Sequence, residues 1–295
     1  MKKYILYLLL LKKRIYISLY PYIKDKSRIS HTIKLGMENY LIFQPAKFRA
    51  TKVNRNLLKK FQTVRFMTLD GARLFAWFVP PQENKPTIIY FHGQAESILM
   101  HQNIVEFGLK NGYGVFLLSY RGHYRSWGIP SEAGVYRDAE TALDWLEREA
   151  KIKAKDIILW GHSLGTTIAA NTALNNKVKA LILQSPITDI ETAAKDMAKF
   201  YIRKIRILPK ITKFVQKHMN DIHFIQKFDT INKISKIKCP IFLCHSKVDK
   251  VAPSKNSRAL YERNINAQLF LSDKGSHWDS AWCMDKIADF IKNLR

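Results

Sequence analysis

Acidic residues are scarce in this 295-residue chain: 24 Asp and Glu stand against 49 Lys and Arg, for a formal net charge of +25. The deficit is uneven. Residues 1–66 carry sixteen basic side chains against only Asp25 and Glu38, a net of +14, and the other 229 residues share the remaining +11 (33 basic, 22 acidic). A basic arm of this kind suits an anionic lipid surface or a nucleic acid. No zinc-finger spacing, RNP-type aromatic pattern or helix-turn-helix signal accompanies it, so the expected partner is a membrane surface and not a nucleic acid. Cysteine is scarce too. Cys239, Cys244 and Cys283 are odd in number and lack metal-ligand spacing, which excludes a disulfide scaffold and a cysteine zinc site and leaves them as free thiols. Neither glycine (12) nor proline (10) is abundant enough for a low-complexity chain, and a hydrophobic content of 47% fits a globular one.

Long apolar runs are missing as well. The run at the N-terminus, Tyr4 to Leu11, covers eight residues before Lys12-Lys13-Arg14. Eight helical residues reach about 12 Å across a hydrocarbon core of roughly 30 Å. Extending the segment to Ile23 buries three charges at about +2.5 to +3.5 kcal/mol each, more than about ten Leu and Ile at about −0.5 each return. No small-residue cleavage site follows, so a cleaved signal peptide is not expected. Tyrosines at 4, 7, 16, 20 and 22 suit the headgroup level, and residues 1–23 are expected to lie in the interface as an anchor. Membrane association is the expected location, with a soluble cytoplasmic protein as the alternative.

Beyond this segment the chain divides into a basic, irregular arm (24–60) and one domain (61–295). Two strand-like runs, "FQTVRFMTL" and "ARLFAWFV", meet at Asp70-Gly71, a hairpin signal. Apolar runs then alternate with helical patterns: "TIIYFHG", "GVFLLSYRG", "DIILWGHS", "KALILQSP", "PIFLCHS" and "AQLFLSD" read as strands. This alternation predicts an α/β fold, a mostly parallel central sheet with helices on both faces and an antiparallel hairpin at its start. Residues 187–238, rich in Lys and Ile, are expected to form a small helical lid-like insertion.

The chemistry concentrates where Ile157-Ile158-Leu159-Trp160 runs into Gly161-His162-Ser163-Leu164-Gly165 and then a run of small residues. A serine between two glycines at a strand-to-helix reversal is the G-x-S-x-G nucleophile elbow. The turn is tight, so side chains at Gly161 or Gly165 would crowd the strand and helix. Ser163 then stands at a helix N-terminus, where unpaired N–H groups favour developing negative charge. A serine nucleophile needs a base, and the base needs an orienting carboxylate, in the chain order Ser, Asp or Glu, His. Asp249 follows the fifth of these strands and His277 the sixth, at the carboxyl ends where open α/β sheets gather their sites. Asp249 also reads as a turn aspartate and His277 as an ordinary core histidine; their order and placement favour the triad. Asp273 and Asp279 are rival carboxylates, but lie close to His277 in sequence.

With these strings in place ("HGQAES", "SYRGHYRSWGIPSEAGVYRDAE", "GHSLGTTIA", "SPITDIETAA", "IKCPIFLCHSKVDKVAP" and "GSHWD"), residues 61–295 resemble the α/β-hydrolase superfamily. Within it they are similar to small serine aminopeptidase-like hydrolases and to membrane-tethered α/β-hydrolase-domain proteins that include esterases and acyl-protein thioesterases. Ser119 before "YRG", the missing second glycine after it and "HSKVD" depart from the usual pattern and bear on loop geometry. The resemblance implies an oxyanion hole formed by the backbone N–H of Leu164 and that of Gln94, with Ala95 as the alternative. It gives His92 a supporting place in that loop and not the role of base. The expected activity is hydrolysis of acyl esters or thioesters through Ser163, Asp249 and His277, on an acyl-bearing small molecule or lipidated substrate, with no metal or organic cofactor. A serine peptidase or amidase acting on short peptides is the alternative; a catalytically silent binding module is the reading from another class.

Overall fold

The computed structural model describes residues 28–44, 54–204 and 223–294. The expected interfacial segment 1–23 lies outside them, as do parts of the arm and of the lid-like insertion. In chain order the elements are α1 (Arg28–Ile42), α2 (Arg55–Leu58), β1 (Gln62–Met67), β2 (Arg73–Val79), β3 (Thr87–Phe91), α3 (Gln102–Asn111), β4 (Gly114–Ser119) and α4 (Glu132–Arg148). There follow β5 (Ile157–His162), α5 (Leu164–Asn175), β6 (Ala180–Gln184), α6 (Ile190–Lys204), β7 (Ile241–Ser246), α7 (Lys255–Arg263), β8 (Gln268–Ser272) and α8 (Ala281–Lys292).

The eight strands form one sheet in the order β1-β2-β4-β3-β5-β6-β7-β8. β1 and β2 pair antiparallel, β2 pairs antiparallel with β4, and all other pairings are parallel. Gly71 turns the β1–β2 hairpin at φ +83°, a left-handed value that glycine takes without penalty. Strands β3 to β7 are buried throughout, and because successive side chains of a strand point to opposite sides, both faces of the sheet are covered there. Ile89, Leu159, Leu181 and Leu243 pack on the face shared with Ala139 and Leu143 of α4 and Ile168 of α5. Ile88, Ile158, Trp160 and Ile182 pack on the other face with Ile104 of α3 and Ile287 and Phe290 of α8. The helix starting at Ser131 is capped there, the Ser131 side chain accepting from the Gly134 N–H.

The arm expected to be irregular contains α1. Its last turn closes on the domain: Ile42 and Phe43 are buried, and the buried Glu38 carboxylate accepts the N–H groups of Ile225 (2.7 Å) and Gln226 (3.0 Å). Long-range contacts of this kind fix a helix that local pattern leaves open. In the 187–238 region α6 is helical. Residues 224–228 are instead irregular, with Phe228 at φ 45° and Glu132 accepting from the N–H groups of Lys227 (2.7 Å) and Phe228 (2.8 Å).

An ion cluster holds the loop after β4 to α4. The Arg121 guanidinium donates to Asp138 (Nε to Oδ1, 2.8 Å) and to Asp70 (Nη1 to Oδ2, 2.8 Å), and the Arg121 N–H also donates to Asp138. Asp138 is fully buried. Removing one partner of such a pair leaves an uncompensated buried charge, at a cost of about 3–5 kcal/mol. Arg121→Met is therefore expected to lower the free energy of unfolding by that amount, seen as a lower urea midpoint. An unchanged midpoint would show that Asp138 does not depend on this partner.

Candidate active site

β5 carries the site because it is central and fully buried, so its carboxyl end is fixed from both sides. Ser163 follows at φ 51°, ψ −118°, a region that costs a non-glycine residue about 1–3 kcal/mol. Three hydrogen bonds hold it there. Its N–H donates to the Gln184 carbonyl (3.0 Å), and its own carbonyl accepts from the Thr166 N–H (3.0 Å) and hydroxyl (2.5 Å). The glycines answer to a close approach. A Cβ on Gly161 would stand 2.5 Å from the Gly165 carbonyl oxygen, and one on Gly165 would collide with the Phe91 carbonyl.

The structure brings Ser163, His277 and Asp249 into one hydrogen-bonded row. His277 Nε2 lies 3.1 Å from Ser163 Oγ and His277 Nδ1 lies 2.7 Å from Asp249 Oδ2. The other Asp249 oxygen accepts the N–H groups of Val251 (2.8 Å) and Ala252 (3.0 Å). Behind it His245, also buried, has Nε2 at 3.4 Å from Asp249 Oδ2 and Nδ1 at 2.7 Å from Ser257 Oγ. The rival carboxylates are engaged elsewhere: Asp273 pairs with Lys247 at 2.9 Å, and Asp279 caps the Ala281 N–H.

Burial acts against charge on Asp249, but hydrogen bonds from His245 and His277 more than offset it, and its pKa lies below the ordinary carboxylate range. For His277 burial dominates. The Asp249 hydrogen bond pulls upward and the charge of His162 downward, leaving the pKa below the usual 6.5. The row therefore reads as carboxylate, neutral imidazole and hydroxyl.

Leu164 opens α5, so its N–H faces outward from the first turn, where helical donors lack intrahelical partners. Gln94 lies in the turn after β3, beside Ala95 at φ 56°. Its side chain donates to the Leu41 carbonyl (2.6 Å), leaving only its main chain to serve the site. His92 is fully buried, its pKa pushed down by burial to about 3, and its carbonyl accepts from the Tyr120 hydroxyl. Where the usual pattern has glycine after "H", Ser246 donates its hydroxyl to the Gly275 carbonyl (3.1 Å) and accepts the Val248 N–H, bracing the Asp249 loop against the His277 loop. Ser119 donates to the Tyr124 carbonyl and tightens the following loop.

Glu96 and His162 were given no role by the sequence reading. Both are buried against the row: Glu96 Oε1 is 3.1 Å from His162 Nδ1, and His162 Nε2 is 2.8 Å from the His277 carbonyl. The signal was present as an ionisable residue inside each of two strings, "HGQAES" just after β3 and "GHSLG" at the end of its neighbour β5. Among the described residues no group of three or more His, Cys, Asp and Glu side chains could hold a metal ion.

The model of the family described as "Serine aminopeptidase, S33" matches residues 82–227. The chain is 31% identical over 245 residues to the "Alpha/beta hydrolase domain-containing protein WAV2" of Arabidopsis thaliana, covering 78% of this chain and 76% of that protein. It is 28% identical over 228 residues to the YfhR protein of Escherichia coli O157:H7, covering 74% of each. The lysophosphatidylserine lipase ABHD12 of Danio rerio is 33% identical over 61% of this chain and 48% of its own length. Among solved structures, an esterase of Pyrococcus furiosus superposes with a TM-score of 0.68 at 22% identity, covering 85% of this chain and 97% of that one. An α/β-hydrolase of Vibrio vulnificus does so with a TM-score of 0.68 at 20% identity, covering 92% and 95%. At these identities the structural likeness is one of fold.

His277 is expected to titrate below the ordinary 6.5 in the folded protein, and Asp249→Asn to lower it further by removing the group that favours its charged form. Because the folded value lies below the unfolded one, the unfolded chain takes up the proton first, and stability falls as pH drops through that window. Histidine proton NMR checks both. A midpoint at or above 6.5, or one that Asp249→Asn leaves in place, contradicts the row.

Proposed function

Because this chain belongs to the α/β-hydrolase superfamily, we propose that it is a serine hydrolase that cleaves acyl ester or thioester bonds through an acyl-enzyme. The observation that carries the reading is the Ser163–His277–Asp249 row, with its hydroxyl at the N-terminus of α5. Ser163 Oγ attacks the carbonyl carbon while His277 Nε2 takes the hydroxyl proton. Asp249 holds Nδ1–H, fixing the tautomer and stabilising the imidazolium. The N–H groups of Leu164 and Gln94 stabilise the tetrahedral oxyanion; losing one such donor typically costs about 10²–10³ in turnover. The imidazolium returns its proton to the departing alcohol or thiol, and a water molecule, deprotonated by His277, then releases the acid and frees Ser163.

An apolar acyl chain is supported by two exposed side chains at this edge, Val248 beside Asp249 and Trp278 beside His277. The peptidase reading keeps one support, the name of the matched family. Turnover of p-nitrophenyl esters of graded chain length against aminoacyl-p-nitroanilides decides between them, the ester series being expected to be faster. A fluorophosphonate probe is expected to label wild-type protein and not Ser163→Ala. Asp249→Asn is expected to lose on the order of 10⁴ in turnover, with Asp273→Asn and Asp279→Asn near wild type. Labelling that persists in Ser163→Ala, or an inactive Asp273→Asn beside an active Asp249→Asn, would refute the assignment.

The basic N-terminus supports an anionic membrane surface as the place of this activity. Each Lys or Arg near such a surface contributes about 1 kcal/mol, reduced by salt. Among the described residues no helix is long and apolar enough to cross a membrane. Because α1 seals the domain through Ile42, Phe43 and Glu38, the shortened protein for the test begins at Arg28. Full-length protein is expected to co-sediment with phosphatidylserine vesicles at low salt and the shortened form to stay in solution. Equal partitioning of the two would sink the anchor.

A further inference from the structure

We propose that Glu96 and His162 form a buried charged bridge that positions His277 against Ser163 and ties that histidine to the Gly93–Gln94 turn. The proposal rests on the hydrolase reading above and adds two positioning residues to it.

Geometry and burial together assign the charges. Glu96 is buried; it accepts the Gly93 N–H (2.6 Å) and lies against two imidazole nitrogens, His101 Nε2 (3.1 Å) and His162 Nδ1 (3.1 Å to Oε1, 3.2 Å to Oε2). Burial opposes its charge, but the two imidazoles outweigh burial and hold its pKa well below the ordinary carboxylate range, so Glu96 is a carboxylate. His162, equally buried, has acceptors at both ring nitrogens, the Glu96 carboxylate at Nδ1 and the His277 carbonyl oxygen at Nε2 (2.8 Å). A neutral imidazole carries one proton and would leave one of these buried contacts as acceptor against acceptor. His162 is therefore an imidazolium. Burial opposes that charge, but the Glu96 carboxylate outweighs it and the pKa is raised.

The bridge joins parts that the sheet keeps apart. The Gly93–Gln94 turn leaves β3 and the His277 loop leaves β8, with β5, β6 and β7 between them in the sheet order. His162, at the end of β5, reaches the His277 main chain directly and the turn through Glu96. Glycine at 93 fits this packing, since a Cβ there would stand 3.0 Å from Glu96 Oε2 and 3.2 Å from His162 Nδ1. The bridge therefore sets the proton acceptor and the second oxyanion donor from one ion pair. It also sets a charge beside the base, because the rings of His162 and His277 lie 5.1 Å apart. The groups around His162 are Glu96, with His101 on its far side, and His277 and Asp249; those around His277 are Asp249, His162 and, through it, Glu96.

The test uses full-length protein, p-nitrophenyl butyrate, and the variants His162→Gln, Glu96→Gln and the double variant, with rates taken per fluorophosphonate-labelled Ser163 so that unfolded protein does not count. Each single variant is expected to lose on the order of 10–100-fold in kcat, as misplacement by about 1 Å does, with KM changed by less than about twofold. The double variant is expected to be no worse than the poorer single one, because both break one link. In His162→Gln the acid limb of kcat/KM is expected to move to higher pH, since a positive charge beside His277 is gone; a merely structural role would not move it. Single variants with wild-type kcat and an unmoved limb overturn the bridge while leaving the hydrolase reading intact. Wild-type turnover that survives Ser163→Ala overturns that reading instead. A second arm needs no variant to fold: in ¹⁵N-histidine spectra of wild-type protein at neutral pH, one buried histidine is expected with both nitrogens protonated. A spectrum without one overturns the bridge.

Discussion

The site depends on how closely the first turn of α5 approaches the end of β3. Gly165 lies against the Phe91 carbonyl and Gly161 against Gly165, with no room for a Cβ at either position. That approach forces the left-handed turn at Ser163 and lifts its hydroxyl off the sheet. It also brings the first turn of α5 against the His92 carbonyl, just before the turn that carries Gln94. The backbone strain, about 1–3 kcal/mol, is outweighed by the burial of α5, whose residues from Leu164 to Ala170 are buried without exception. Fold stability and site geometry therefore rest on the same contact.

Charge is then distributed so that three buried carboxylates near the sheet's carboxyl edge each have fixed counterparts. Asp249 is satisfied by two N–H groups and by His277, Glu96 by one N–H and two imidazoles, and Asp138 by the Arg121 guanidinium and N–H. Carboxylates held by fixed donors cannot relax as water would, and they hold their loops in one arrangement. Arg121 orders the loop after β4, Asp249 the loop after β7, and Glu96 the loop after β3. Three loops of the sheet's carboxyl edge are thereby pinned by side chains and not by regular structure.

Much of this was legible in the sequence because it follows from local rules. The period of apolar residues placed all eight strands, Asp70-Gly71 marked the hairpin, Ser131 the start of α4, and the glycines around Ser163 the tight turn. Chain order and strand ends pointed to Asp249 and His277 as neighbours of Ser163, and the structure places them side by side. Long-range contacts were not legible. The helix α1 is held by Glu38, Ile42 and Phe43 reaching parts of the chain almost two hundred residues away. The irregular stretch at 224–228 is set by Glu38 and Glu132, and no helical pattern reports such partners. Glu96 and His162 were hidden for the same reason: each stands in a recognisable string, but their meeting depends on β3 and β5 being adjacent, which only the sheet order reveals.

The central claim is that Ser163 takes the acyl group. Rapid mixing with a p-nitrophenyl ester, acid quenching and peptide mapping by mass spectrometry tests it most directly. The account predicts a burst of p-nitrophenol and a peptide containing Ser163 that is heavier by the acyl group. An acyl group found on another residue, or turnover with no acyl-enzyme at any quench time and no burst, would contradict it.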